Sequence, residues 1–253
     1  MGLSKKRRAL FEELTQAVGV MGHETAVSRI LKKHYEALAN DIIYDNLGSI
    51  VAYKKSHQEQ PAKVLVLGHM DEVGFKVGKI LDDGTIKFSP QSSGVWEQTL
   101  MAQRIYVQTK DGTLVPGVID TIPPHQLTPE LRKKPMEAKD MFVDIGCKSK
   151  AEVEALGVRL NDSIVLKGEF LELNGGQRLL SKAFDNRFGC ILGVEVLQAL
   201  HKTQLPYDLY VGASVQEEAG LRGAQTIAQT IQPDLVIVLD CSPASDMGGN
   251  TKA

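Results

Sequence analysis

Two adjacent carboxylates, Glu217 and Glu218, stand between an apolar strand-like run and a glycine-containing turn. Gly68-His69-Met70-Asp71-Glu72 follows a second apolar run, Lys182-Ala183-Phe184-Asp185-Asn186 leads into a helical pattern, and Leu239-Asp240 closes a third run. One imidazole and several carboxylates, each delivered at the edge of a buried-looking segment, form the donor set of a two-metal hydrolase. In an extended segment residues i and i+2 point to the same side, so Asp71 can orient or polarise His69, and a ligating imidazole gains basicity from such a partner. Asp185 has two oxygens, enough either to cap the helix beside it or to bridge two cations about 3.5–4 Å apart; both readings stay open. Asp240 ends an apolar strand, where a buried charge requires a partner. Adjacent glutamates project differently, so one can ligate metal while the other faces water. That division suits the chemistry, because a metal lowers the pKa of water while a separate carboxylate takes and returns the proton. Taken singly, each group has a plain structural reading: His69 as a satisfied core histidine, Glu217-Glu218 as a solvated turn. A glycosidase also uses an acid pair, but it would leave His69 and the remaining clusters without a task.

The elements that must hold these groups are legible in the pattern. Leu10, Phe11, Leu14 and Val18 predict a helix over about Lys5 to Ala17, and Val27, Ile30, Leu31, His34 and Leu38 predict a second from about Glu24, with His34 on its packed face. Asp41 to Tyr44 and Gly48 to Tyr53 read as strands around the Asp45-Asn46-Leu47-Gly48 turn. Lys63 to Leu67 has no alternation, as in a central strand covered on both faces, and delivers His69 and Asp71 at its carboxyl end. From Gly74 the texture changes to short strands, Phe75 to Ile80, Thr85 to Phe88, Arg104 to Thr109, Thr113 to Ile119 and Phe142 to Ile145, with Asp83-Gly84 and Asp111-Gly112 as hairpin turns. The helix–strand pattern returns with a helix at Asn186 to Leu200, strands at Leu209 to Val215 and Asp234 to Leu239, and a helix at Arg222 to Thr230. The expected fold is therefore α/β, a central mostly parallel sheet flanked by helices, formed by 1–73 and 168–253 and interrupted by a β domain over 74–167.

Composition sets outer limits. With 29 basic and 31 acidic residues in 253, a net charge of -2 offers no global field for gathering nucleic acid or an anionic membrane. Cys147, Cys190 and Cys241 fit neither a disulfide framework nor a thiolate zinc cluster and read as reduced core or near-core residues. The basic run Lys5 to Arg8 lacks the apolar core of a signal peptide, Lys6 stands where a myristoylation signal at Gly2 wants Ser or Thr, and no stretch is long and apolar enough to span a bilayer. The expected location is the cytoplasm.

Gly68-His69-Met70-Asp71-Glu72-Val73-Gly74, Pro116-Gly117-Val118-Ile119, Asp140-Met141-Phe142-Val143-Asp144-Ile145-Gly146 and Ala183-Phe184-Asp185-Asn186-Arg187, with Glu217-Glu218 and Asp240, resemble the tetrahedral or glutamyl aminopeptidase family of cocatalytic metallopeptidases over nearly the whole chain. The resemblance implies two divalent metal ions, Zn²⁺ first with Co²⁺ or Mn²⁺ able to use the same ligands. His69, Asp185 and Asp240 would hold one, Asp185 would bridge, Glu218 would hold the second, Glu217 would act as general base and proton donor, and Asp71 would orient His69. It further implies a β-barrel-like inserted domain, a peptide substrate, and a homo-oligomer in which dimers build a dodecamer. The family pattern places another histidine ligand later in the chain; none follows through Ser242 to Asn250 or up to Ala253, and His125, in a loop after Pro123-Pro124, and His201, at a helix end, do not fill its place. Two readings result. One is an aminopeptidase removing N-terminal residues, glutamyl or other acidic residues among them; the other is a truncated, catalytically inactive family member serving as a structural or oligomerising subunit. Arg222 could meet an acidic substrate, but its plainer reading is a solvated helix start.

Overall fold

The computed structural model describes residues 3–92, 95–242 and 244, so Gly2 and most of the Ser242 to Asn250 stretch lie outside the described residues. The chain opens with helices α1 (Lys5–Gln16) and α2 (Thr25–Glu36). Ser4 caps α1 by accepting from the Arg7 N–H, and the helices bury Leu10, Phe11 and Leu14, and Val27, Leu31 and Tyr35. His34, expected on the packed face, is instead partly exposed with Nε2 3.0 Å from Glu13 on α1; its polar ring finds a carboxylate at the helix–helix margin in place of the core.

Strands β1 (Asp41–Tyr44) and β2 (Ile50–Lys54) form a hairpin whose turn is held by the Asp45 carboxylate, which accepts from the N–H groups of Leu47, Gly48 and Ser49. After β3 (Lys63–His69) the chain enters β4 (Phe75–Ile80), β5 (Ile86–Pro90), β6 (Arg104–Gln108), β7 (Leu114–Thr121), β8 (Met141–Asp144), the short helix α3 (Lys150–Ala155) and β9 (Ser163–Leu166). These six strands close a barrel in the order β4-β5-β8-β7-β6-β9 around Phe75, Val77, Ile86, Ile105, Val107, Ile119, Val143 and Ile164. Each such side chain taken from water contributes roughly 1.5–3 kcal/mol. Gly84 and Gly112 sit in its hairpin turns at φ +86° and +89°, the backbone region that favours glycine.

A two-stranded ribbon, β10 (Leu171–Leu173) and β11 (Arg178–Leu180), precedes α4 (Phe184–Leu200), β12 (Asp208–Ser214), α5 (Arg222–Ile231) and β13 (Leu235–Val238). The main sheet runs β1-β2-β12-β3-β13 and is mixed: β12, β3 and β13 are parallel, while the β1–β2 hairpin joins β12 antiparallel. Helices α1, α2 and α4 cover one face, and α5 packs Ile227 and Ile231 against Leu65, Leu67 and Tyr210 on the other. One expectation fails at the edge. The strand before Asp240 reads as buried, yet Leu235, Val236, Ile237 and Val238 are all exposed, because β13 pairs only with β3 among the described residues.

Candidate metal centre

The parallel strands end on the same side of the sheet, where ligand sites of open α/β folds gather. In register, Ser214 lies beside His69 and Val238 beside Leu67, so the segments after β12 and β13 emerge next to the last residue of β3. The fourth contributor is the head of α4. It approaches closely because Gly68 has no side chain; a Cβ there would stand 3.0 Å from the Gly189 backbone.

His69 is 3% exposed, with Nδ1 3.2 Å from Asp71 Oδ1 and Nε2 3.2 Å from Asp185 Oδ1 and 3.6 Å from Glu217 Oε2. Asp71 does more than face the imidazole. Its two oxygens accept the Glu217 and Glu218 N–H groups, each at 3.0 Å, so one fully buried carboxylate fixes the histidine and the acid pair together. The preceding residue, Gln216, stands at φ +54°, and its N–H is held at 3.1 Å by Glu24 Oε1, which also accepts from Gly22 in the turn before α2. Arg222 is exposed and donates to the Gln216 side chain at 3.1 Å.

The capping role weighed for Asp185 is filled by its neighbour. Asn186 Oδ1 accepts the Gly189 N–H at 2.9 Å and so performs the capping, while Asp185 has non-helical φ and ψ of -80° and 109° and a side chain 61% exposed. Asn186 Nδ2 also donates to the Leu239 carbonyl at 2.7 Å, tying α4 to the segment that carries Asp240. Asp240 is exposed, and its Oδ1 accepts the Cys241 N–H.

Ligand atoms of His69, Asp185 and Glu218 lie within 4.8 Å of one another, and so do those of His69, Glu217 and Asp240. The two groups share His69. They pair Asp240 with Glu217 and Asp185 with Glu218, whereas the resemblance pairs Asp240 with Asp185; neither His125 nor His201 joins either group.

The electrostatics match the crowding. Burial, together with the charges of Asp185, Asp71 and Glu217 and against the pull of His69, raises Glu218 to about 7. Burial also raises Glu217, opposed by His69 and reinforced by Asp240, Asp71 and Asp185. Burial alone would lower His69, but the bond to Asp71 and the charges of Asp71, Glu217 and Asp185 outweigh it and lift the imidazole to about 9. For Asp71 the upward push of burial is overcome by His69 and the two backbone N–H groups, and its pKa falls. Carboxylates packed this closely around one imidazole are under repulsion that a hard divalent cation relieves, and mixed oxygen and nitrogen donors suit Zn²⁺, Co²⁺ or Mn²⁺. The residues present fit such ions.

Sequence reasoning missed Glu24 and the double role of Asn186. Only Asn186, directly after Asp185 and ahead of an apolar helix, carried a readable signal, that of a capping residue.

A three-stranded parallel core ending in clustered carboxylates and one histidine, with a closed barrel inserted after the first of those strands, defines an α/β protein with a candidate metal centre. Residues 48–253 match the model of the M42 glutamyl aminopeptidases, and the chain belongs to that family. It is 36% identical over 243 residues to the glutamyl aminopeptidase of Lactococcus lactis subsp. cremoris, covering 94% of this chain and 67% of the relative. Among solved structures, a TET aminopeptidase from a marine sediment archaeon of the Thaumarchaeota superposes with a TM-score of 0.92 at 39% identity, covering 97% of this chain and 68% of that one. The more distant TET1 peptidase of Pyrococcus horikoshii, described as assembling into a tetrahedron or a large octahedral shell, has a TM-score of 0.82 at 28% identity, covering 97% of this chain and 72% of that one. The chain thus spans about two thirds of the length of these relatives.

Proposed function

We propose that this chain carries the core of a dinuclear, metal-dependent aminopeptidase that removes N-terminal residues from peptides. The observation that carries the reading is the pair of donor groups sharing His69 with Glu217 alongside. In it His69, Asp185, Asp240 and Glu218 hold two divalent ions, Zn²⁺ first. Bound there, the ions supply Lewis acidity toward a peptide carbonyl and lower the pKa of water. Glu217 accepts the proton of the attacking water and returns it to the leaving amine; its raised pKa brings it nearer the neutral range where such exchange is efficient. Asp71 keeps His69 and Glu217 in register through one carboxylate.

An acidic N-terminal residue stays among the candidate substrates through the L. lactis relative, but Arg222 is directed to Gln216 and offers no support for it. The barrel, assigned to 74–167, is the proposed oligomerisation domain of a homo-oligomer whose dimers build a dodecamer, in a cytoplasmic setting; the assembling P. horikoshii relative supports the oligomer. No helix among the described residues is long and apolar enough to cross a membrane. A structural, catalytically silent subunit is the second reading, favoured by the single histidine in the donor groups. Peptide cleavage and metal stoichiometry, measured together on this chain and on Glu217→Gln, separate the two. Turnover with two bound ions that vanishes in the variant supports the enzyme; two-metal binding without turnover supports the silent subunit; a folded chain that takes up no metal overturns the metal centre.

A further inference from the structure

One buried ionic cluster takes no part in the chemistry above. Glu72 is 4% exposed, Arg187 is fully buried, and the Lys182 side chain is 10% exposed. Arg187 donates from Nε to the Met70 carbonyl at 2.7 Å, from Nη1 to those of Leu14 and Ala17 at 2.7 and 3.0 Å, and from Nη2 to the Gly19 carbonyl at 3.4 Å and Glu72 Oε1 at 3.3 Å. A guanidinium has five N–H groups, and all five are engaged. Lys182 Nζ reaches both Glu72 oxygens at 2.7 Å and the Ala17 carbonyl at 3.1 Å, which uses its three donors. Glu72 also accepts the Gly19 N–H at 3.1 Å.

The placement of this cluster matters more than its bond count. Glu72 follows Asp71 directly, and the Met70 carbonyl lies between His69 and Asp71 in the chain; Lys182 precedes Asp185 and Arg187 follows it. The two segments that supply opposite sides of the centre are therefore bonded to each other and, together, to the carboxyl end of α1. Stability alone is a poor account of such a cluster, since apolar residues of similar volume often replace buried ion pairs at no cost. Apolar side chains could not hold four separate backbone carbonyls in direction and distance.

We propose that Glu72, Lys182 and Arg187 are positioning residues that set the separation of His69 and Asp185, and through it the metal affinity of the centre. The inference rests on the metal reading above. Two variants test it on the full chain: Lys182→Met, which keeps the stem and leaves Glu72 bonded to Arg187 and Gly19, and Arg187→Lys, which keeps the charge and loses the fork. Val153→Ala, in the barrel core, serves as a control that lowers melting temperature without touching the cluster. Co²⁺ titration followed by visible absorption should show affinity falling on the order of 10–100-fold in both cluster variants, the usual effect of disturbing groups that orient ligands, with the control unchanged. Folded cluster variants whose Co²⁺ affinity and spectrum match those of the parent overturn the proposal, and so does an equal loss in Val153→Ala. Where Arg187→Lys does not fold, Lys182→Met decides alone. A parent chain that takes up no Co²⁺ defeats the metal reading itself; the positioning claim is then decided by a crystal structure of Lys182→Met, in which an unchanged His69 Nε2 to Asp185 Oδ1 distance of 3.2 Å counts against it.

Discussion

The two sides of the centre are built differently. On the β3 side, His69 and Asp71 are 3% and 0% exposed, and Asp71 bonds both the imidazole and the N–H groups of Glu217 and Glu218. On the other side Asp185 and Asp240 are exposed, each placed by the backbone around it and not by burial of its own carboxylate. One side is buried and bonded on several sides, and the other keeps carboxylates accessible to solvent. The difference teaches that accessibility of a donor is no measure of how well it is positioned.

Substitutions should separate the two sides sharply. Glu217→Gln, at their junction, is expected to reduce peptide cleavage by roughly 10²–10⁴-fold, the usual worth of a general base, with melting temperature unchanged; an equal fall in both would mean that Glu217 is structural. Asp71→Ala strands two backbone N–H groups and removes the carboxylate partner of a buried imidazole, and should cost roughly 2–5 kcal/mol in chemical denaturation, as buried polar groups left unpaired do. A loss below about 1 kcal/mol, a typical single hydrogen bond, would remove Asp71 from its central place.

A pH titration sharpens the same contrast. His69 is lifted from 6.5 to about 9, so between those values the folded, metal-free chain binds more protons than the unfolded one. The stability that protonated His69 contributes is fully present below pH 6.5 and is lost as pH rises toward 9, with a slope of up to about 1.4 kcal/mol per pH unit for one proton. Chelator-treated protein unfolded at a series of pH values should show this fall, and Zn²⁺ should abolish it, because a ligating imidazole is neutral. A flat profile without metal would place His69 outside the network. The smallest effect is expected for Asp240→Ala: metal-free stability within about 0.5 kcal/mol of the parent, as for an exposed position, beside weaker Co²⁺ uptake. A larger loss of stability would make the exposed side as structural as the buried one.

Much of this was readable in advance, for physical reasons. Hairpin turns announce themselves locally, so Asp45 to Gly48, Asp83-Gly84 and Asp111-Gly112 mark their strands to within a residue or two, and helical periodicity places α1, α2, α4 and α5 closely. The strand that closes the barrel, β9, and the helix α3 before it went unread: a four-residue strand after a charged turn gains its identity from β4 and β6, far away in the chain. The three-residue ribbon strand β11 is too short to show an alternation of its own, and β13 looked buried because composition reports apolarity and not neighbours. The residues that the structure gathers around His69 were visible by type and by resemblance. What fixes them was not, since the bonds of Asp71 to the Glu217 loop and of Arg187 to α1 span well over a hundred residues and leave no local pattern.

The barrel's strand order has a consequence for how such a protein comes apart and is put together. Its first strand, β4, and its last, β9, are antiparallel neighbours, with Phe75 beside Ile164, so the chain enters the barrel and leaves it at nearly one point. Topologically the sheet meets the whole barrel as if it were a hairpin turn, and loop-closure entropy grows only slowly with the length of what is inserted. A short linker joining residues 74 and 167 should therefore leave the connectivity of the five-stranded sheet intact, and a different compact module whose ends lie equally close could be spliced into the same gap. The junction is a socket, and what it holds can be exchanged without rethreading the sheet that carries the centre.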